Sequence, residues 1–416
     1  MHVAIVGNGI AGVTAARVVR RARPGWRVSM ISDESAEPLA RTAWMYVYMG
    51  HLTLGQTRLY EPRFWDDNRI ERVHDRVDAV DPEANTLALR SGGELGYDRL
   101  LIATGSVPAF HGWPGQELGG VQGLYSLQDL DRMKRDTAGV RHAVVLGGGL
   151  IGVEMAEMLH TRGIGVTYLV REGRYLAHGL PERESRLVEA EIRSHGIDLR
   201  LGTELDAILG DGRVRAVRTS AGDEVRAEWV GIATGVRPNV AWLAGAGIET
   251  ARGVLVGPTL ETNVPGVFAA GDCVELREPP PGRPARQPIW YTGREQGAVA
   301  AAGLVGAPRA YAPGVFFNSA AFFGVEWQTY GDVAVEPTAD RRDLVVEGPG
   351  PGGRTRMVRL QGDAASGRLL GVNGLGLRLR QRVCAAWIRD GVSLDDASAR
   401  LPEALFDPEF SPSLAA

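Results

Sequence analysis

Short, unbroken apolar runs recur through the first three hundred positions, each passing into a glycine cluster and then into a stretch with apolar residues every three or four places. Val3-Ala4-Ile5-Val6 leads into Gly7-Asn8-Gly9-Ile10-Ala11-Gly12, and Ala143-Val144-Val145-Leu146 leads into Gly147-Gly148-Gly149-Leu150-Ile151-Gly152. Runs this short and apolar predict strands covered on both faces, and the periodic stretches that follow, Val13 to Arg20 and Val153 to Arg162, predict helices. A second pair repeats the echo. Arg99 to Ile102 ends in Ala103-Thr104-Gly105, and Trp229 to Ile232 ends in Ala233-Thr234-Gly235. Two copies of one strand–turn–helix unit, the second inserted into the first, account for both pairs. The chain then runs through Gly253 to Gly257 and Val267-Phe268-Ala269-Ala270-Gly271-Asp272, one more buried strand with a terminal loop, and a helix is expected from Tyr291 to Gly303. Beyond residue 311 apolar and polar positions alternate, predicting antiparallel strands with a turn at Gly348 to Gly353 and a closing helix from Leu379 to Asp390.

Each glycine cluster has the GxGxxG spacing, and each follows a strand and opens a helix, which is the context a dinucleotide site requires. The first glycine permits the tight turn, the second lets the backbone approach a pyrophosphate, and the third lets helix and strand pack closely. The helix N-terminus then faces the phosphates. In the first copy an acid stands about 20 residues further on, where a ribose hydroxyl is held; Asp33 and Glu34 are both candidates, with Glu34 favoured. The second copy has Val170 at that place, followed by Arg171, Glu172 and Arg174. The two arginines can pair with a 2′-phosphate and favour NADPH, whereas Glu172 opposes it by like-charge repulsion. NADPH and NADH both remain open. The expected architecture is α/β: two Rossmann-like dinucleotide-binding domains (1–110 with 238–310, and 111–237, the second inserted in the first), followed by an α+β C-terminal domain (311–416).

Composition narrows the function more than the fold. Among 416 residues, 46 basic against 50 acidic side chains give a net charge of -4, with no basic footprint for nucleic acid. The only lysine is Lys134, which leaves Schiff-base chemistry one candidate. Eight histidines without HxxxH or HxH spacing give no reason to expect a metal site. The two cysteines, Cys273 and Cys384, exclude a disulfide scaffold and read as ordinary buried thiols. No apolar run is long enough to span a membrane, no signal-peptide pattern opens the chain, and the acidic, proline-interrupted stretch 393–416 does not read as an anchor, so a cytoplasmic protein is expected.

Taken together, the two glycine motifs, the two Ala-Thr-Gly strand ends and Thr262-Asn263-Val264-Pro265-Gly266-Val267-Phe268-Ala269-Ala270-Gly271-Asp272 resemble the FAD-dependent pyridine nucleotide-disulfide oxidoreductase superfamily. Glu37 to Arg41, Trp290 to Gly297 with Gln296, and Phe317-Asn318-Ser319 are similar to its ferredoxin and rubredoxin reductase branch, which includes apoptosis-inducing-factor-like proteins. The resemblance implies FAD on Gly7, Gly9 and Gly12 with Ala103, Thr104 and Gly105. It implies NAD(P)H on Gly147, Gly149, Leu150, Ile151 and Gly152 with Gly235. Arg41 would line the FAD site, Gly271 and Asp272 would hold the ribityl chain, and the helix following Trp290 would aim its N-terminus at the flavin. Glu154 matches a helix glutamate that lies near the nicotinamide in the family.

Departures from the pattern shape the expected mechanism. The disulfide reductases carry a Cys-x4-Cys pair in the segment that here reads Arg41 to Gly50, and this segment has no cysteine. A dithiol relay is therefore excluded, and electrons would leave directly from the flavin to an iron–sulfur protein or a small molecule such as a quinone. The branch's lysine near the flavin falls at Tyr46, so a hydroxyl of Tyr46 or Tyr48, or an arginine, would take its place. The surrounding Trp44, Met45, Met49 and His51 would either pack on the flavin or gate a substrate. Two other readings stand beside a reductase: an NAD(P)H-sensing flavoprotein acting through assembly, and a pathway-specific small-molecule reductase or NAD(P)H oxidase. A homodimer formed through the C-terminal domain is plausible on the same resemblance.

Overall fold

The computed structural model describes residues 1–406. The final ten positions of the proline-interrupted tail lie outside the described residues. Contacts divide the chain into two units. The first joins Met1–Ala109, Gly123–Asp136 and Gly235–Pro313; the second joins Phe110–Gln122, Thr137–Thr234 and the described residues from Gly314 onward.

In the first unit, His2–Val6 lies at the centre of a five-stranded parallel sheet, with Arg27–Ser32 then Ile70–His74 on one side and Arg99–Ile102 then Val267–Ala269 on the other. Val3, Ala4, Ile5, Leu100, Leu101 and Ile102 are fully buried, as expected for strands covered by helices on both faces. The Ile10–Ala22 helix covers one face and packs on the Trp290–Leu304 helix. That contact is close because a Cβ on Gly297 would strike the Ala11 carbonyl. A three-stranded antiparallel sheet, Val77–Asp81, Thr86–Leu89 and Glu94–Gly96, completes the strand connections.

The second unit repeats this plan. His142–Leu146 is central, with Gly165–Leu169 then Asp198–Arg200 on one side and Trp229–Ile232 then Val121–Gln122 on the other, all parallel. Leu205–Asp211, Arg213–Thr219 and Glu224–Arg226 form the matching antiparallel sheet. To this the C-terminal segment adds a five-stranded antiparallel sheet, in the order Phe317–Phe322, Val325–Gly331, Leu369–Leu375, Thr355–Asp363, Arg341–Pro349. The closing helix is Gln381–Asp390, two residues shorter than expected, because Leu379 is drawn into a bridge with Leu405.

A buried charged network fixes the C-terminal sheet to the middle segment. Glu184, fully buried on the Glu182–Ser194 helix, accepts two hydrogen bonds from Arg359 (Nε–Oε1 2.7 Å, Nη2–Oε2 2.9 Å). Asn373 donates to the same carboxylate at 3.2 Å, and Arg359 also pairs with Asp343. Removing one partner leaves a desolvated charge without compensation. Arg359→Ala is therefore expected to lower the unfolding free energy by about 3–5 kcal/mol; a loss below about 1 kcal/mol in a urea titration would show that the pair is dispensable.

Candidate functional site

The two glycine turns are built alike. Gly7 and Gly147 have φ of +112° and +109°, which an L side chain rarely adopts. A Cβ on Gly7 would collide with the Ala103 carbonyl, and one on Gly147 with that of Ala233. The third glycines are equally closed, because a Cβ on Gly12 or Gly152 would meet the carbonyl oxygen of Gly7 or Gly147. The middle glycines differ. A Cβ on Gly149 would meet nothing within 4 Å, and one on Gly9 only Arg41 Nη1, at 4.0 Å. Both are extended N-caps of their helices, without a side-chain cap, so the first-turn N–H groups face that space. A closed turn with an open middle glycine at a helix N-terminus is the cradle that a dinucleotide pyrophosphate fills. Leu150 and Ile151 open the second helix and are half-exposed.

Around the first cradle the structure gathers residues from three distant segments. Of the two acids, Asp33 is exposed and lies 3.8 Å from Arg76. Glu34 is half-buried, pairs with Arg41 and accepts from the Leu127 N–H at 2.9 Å. Arg41 keeps a buried Nε with no protein partner, and its Nη1 is the atom nearest the open glycine. Its guanidinium carbon lies 4.4 Å from the centroid of the Tyr125 ring. Tyr125 donates its hydroxyl to Asp272 at 3.1 Å, and the same oxygen accepts from the Ser106 N–H at 2.8 Å. Burial pushes the Asp272 carboxyl above its usual range, against the pull of Tyr125 and Arg41.

Several expected ligands turn out to have neighbours within the protein. Ala103 supplies the carbonyl against which Gly7 closes, and the Thr104 hydroxyl donates to the Asn239 carbonyl at 2.8 Å. Gly105, at φ +65°, leaves room for the Tyr125 hydroxyl, 2.7 Å from where a Cβ would stand. Gln296 is buried and takes the Gly271 N–H on its side-chain oxygen at 2.9 Å, bracing the turn before Asp272. Trp290 opens its helix half-exposed, with its ring edge-on to Tyr291 at 5.2 Å. Tyr46, on the short Trp44–Met49 helix, is 38% exposed with its ring 6.4 Å from that of His51, whereas Tyr48 is buried. Sequence reasoning missed Tyr125, Leu127 and Gln128. The local signal was a capping pair in which Ser126 and Asp129 exchange backbone-to-side-chain hydrogen bonds at 3.0 and 3.1 Å before the Leu127–Asp136 helix.

At the second cradle the picture of the ribose end changes. Val170 does occupy the expected acid position, but Glu172 returns to the loop, its Oε2 being 3.6 Å from a Cβ built on Gly148. Burial is the largest influence and works against its charge, yet the Arg171 hydrogen bond, its own backbone N–H and the nearby positive charges together hold the carboxyl below the usual range. Arg171 bonds that carboxylate at 2.8 Å, and Arg174 is engaged by Glu336 and the Ala177 carbonyl. Gly235 has φ +115° and open space at its Cβ position. Glu154 lies in the second turn of the Leu150–Thr161 helix; burial and then the Glu157 charge push its carboxyl up to about 7. Neither thiol is exposed: burial raises Cys273 to about 11 and Cys384 to about 12. Among the described residues no cluster of His, Cys, Asp and Glu could hold a metal, and no helix is long and apolar enough to cross a membrane.

Residues 1–301 match the pyridine nucleotide-disulphide oxidoreductase family. The chain belongs to that family. This oxidoreductase uses FAD and NAD(P)H, and the two cradles fit both groups. An NAD(P)H coenzyme A polysulfide/persulfide reductase of Pyrococcus horikoshii is 30% identical, covering 99% of this chain and 95% of the relative. A ferredoxin–NAD(P)+ reductase of a Sphingomonas species is 29% identical over 98% and 96%. Among solved structures, a ferredoxin reductase from Rhodopseudomonas palustris superposes with a TM-score of 0.80 at 27% identity, covering 90% of this chain and 91% of that one. An NAD-dependent persulfide reductase from A. fulgidus shares the fold with a TM-score of 0.86 at 24% identity, covering 100% of this chain and 81% of that one.

Two measurements test the second cradle. Glu154 keeps its proton to about pH 7 when folded, whereas its ordinary value is near 4.5, so the folded state binds the extra proton in that window. Its contribution to stability thus falls as pH rises from about 4.5 to about 7. Glu154→Gln is expected to melt above the parent at pH 8 and level with it near pH 4.5; no pH-dependent difference would refute the shift. Glu172→Ala removes the acid beside the loop and frees Arg171. The ratio of kcat/KM for NADPH over NADH should then rise roughly tenfold, equivalent to about 1.4 kcal/mol, and an unchanged ratio would remove Glu172 from nucleotide selection.

Proposed function

We propose that this oxidoreductase passes electrons from NAD(P)H by way of FAD to a ferredoxin-type iron–sulfur protein, without a thiol relay. The observation that carries the reading is the state of the cysteines. The segment 41–50 has none, and both thiols in the chain are buried and held protonated. The full-length similarity to the Sphingomonas ferredoxin–NAD(P)+ reductase supports the acceptor class. A small-molecule acceptor is the second reading, favoured by the similarity to the Pyrococcus horikoshii persulfide reductase.

When bound, FAD would supply the redox chemistry, taking two electrons from NAD(P)H and giving them up one at a time to two iron–sulfur acceptors, or together to a small molecule. The chain's own residues bind, orient and shield. In the first unit, the Gly9 turn with Arg41 would hold the pyrophosphate, Glu34 a ribose hydroxyl and Asp272 the ribityl hydroxyls; the open middle glycine and the buried, unpartnered Arg41 Nε support this reading. The Trp290–Leu304 helix offers its positive N-terminal end, without an acidic residue in its first turn, to stabilise negative charge. In the second unit, the Gly149 turn takes the nucleotide pyrophosphate and Glu154 can hold or release a proton close to neutral pH.

Anaerobic mixing of the purified protein with NADH or NADPH is expected to bleach the flavin absorbance, and a ferredoxin-type protein to restore it over many turnovers. Bleaching by neither nucleotide would overturn the reductase reading. Rapid reoxidation by a coenzyme A persulfide, with none by iron–sulfur proteins, would establish the second reading instead.

A further inference from the structure

Tyr125 touches Asp272 directly and Glu34 by way of Arg41. It comes from the Gly123–Asp136 segment, which leaves the second unit's sequence neighbourhood to pack in the first unit. Every polar part of the residue is engaged. Its hydroxyl donates to Asp272 Oδ2 at 3.1 Å and accepts from the Ser106 N–H at 2.8 Å. Its ring receives the Arg41 guanidinium, whose other contact is Glu34. Its N–H donates to Asp129 at 3.0 Å, and its carbonyl accepts from the Trp44 indole at 3.3 Å. The hydroxyl reaches Asp272 through space that exists only because residue 105 lacks a side chain. A continuous path therefore runs from Glu34 through Arg41 and the Tyr125 ring and hydroxyl to Asp272.

We infer that Tyr125 is a positioning residue for FAD: its hydroxyl orients the Asp272 carboxylate, and its ring holds Arg41 between Glu34 and the glycine turn. This rests on the reading of the first cradle as the FAD site. A phenol that donates to the carboxylate favours its charged, accepting form. Without that bond Asp272, already raised by burial, takes up a proton at higher pH and no longer accepts from a ligand hydroxyl with the same oxygen. The charged and titratable groups facing Asp272 are Tyr125, Arg41 and the buried Cys273 thiol, with Glu34 one step beyond Arg41. Arg41 and Cys273 do not change charge below neutral pH, and the Asp272→Asn background isolates the part of any pH effect that belongs to Asp272.

The test is the release of FAD from purified holoenzyme, followed by flavin fluorescence on dilution between pH 4.5 and 8, for the parent, Tyr125→Phe, Asp272→Asn and the double variant. Tyr125→Phe keeps the ring under Arg41 and removes only the hydroxyl. It is expected to raise the FAD dissociation constant about tenfold at pH 7, the scale of one hydrogen bond to a charged group. It should also move the pH at which FAD affinity declines upward relative to the parent. In the Asp272→Asn background the same change should alter affinity by less than about threefold, because the oriented carboxylate is gone. An affinity within about twofold of the parent with an unchanged pH profile would overturn the inference. So would an equal loss in both backgrounds, which would make Tyr125 merely structural. A parent that purifies without FAD and binds none would overturn the FAD-site reading itself, a separate outcome.

Discussion

The tight closure of backbone on backbone at the glycine turns governs the rest of the molecule. Gly7 faces the Ala103 carbonyl and Gly12 faces the Gly7 carbonyl, with no room for a Cβ at either contact. Gly147 and Gly152 reproduce both contacts in the second unit. Because strand, turn and helix meet without side chains between them, each helix starts directly at the sheet's edge with its free N–H groups beside an open middle glycine. The alternating demand for closed and open positions explains why the motif needs three glycines at fixed spacing, and why two such turns give the chain two dinucleotide cradles.

Charge is handled in opposite ways in the two parts of the molecule that matter most. Around the first cradle, Glu34, Arg41 and Asp272 are tied together, but Arg41 Nε keeps a buried, unpartnered donor and burial lifts the Asp272 carboxyl. Such incompletely satisfied polar groups are costly without a ligand, and a bound dinucleotide can compensate them. Glu184 and Arg359, by contrast, meet two-pronged, with Asn373 also donating to Glu184 and Asp343 also accepting from Arg359. That network holds a helix against a sheet, with both charges compensated inside the protein. The first arrangement suits binding and the second suits architecture.

Residues 41–50 contain no cysteine, so this segment lacks the thiol pair that a disulfide relay needs. It carries instead the short Trp44–Met49 helix, with Trp44, Met45, Val47 and Tyr48 buried and Tyr46 outside. The Trp44 indole bonds to the Tyr125 carbonyl, so the segment also helps to seat the residue that bridges Arg41 and Asp272.

The sequence by itself determined the repeated strand–turn–helix units, the tight contacts at Gly7, Gly12, Gly147 and Gly152, the lack of a cysteine pair in residues 41–50, and the alternating strands of the last hundred residues. These are local patterns, set by backbone sterics and by hydrophobic period, and they survive without knowledge of what lies across the fold. Tertiary structure decided the rest. Tyr125 reaches Asp272, and Glu184 reaches Arg359, across long separations in the chain, and neither pair has a spacing that announces it. Glu172 occupies the loop two residues after the position where the motif looks for an acid, because the chain turns back after Val170. Gly105 and Gln296, legible as part of a cofactor motif, also make room for a neighbouring phenol and brace a neighbouring turn. Which side chain fills a gap is fixed by long-range packing, and a linear pattern records only that a gap is needed.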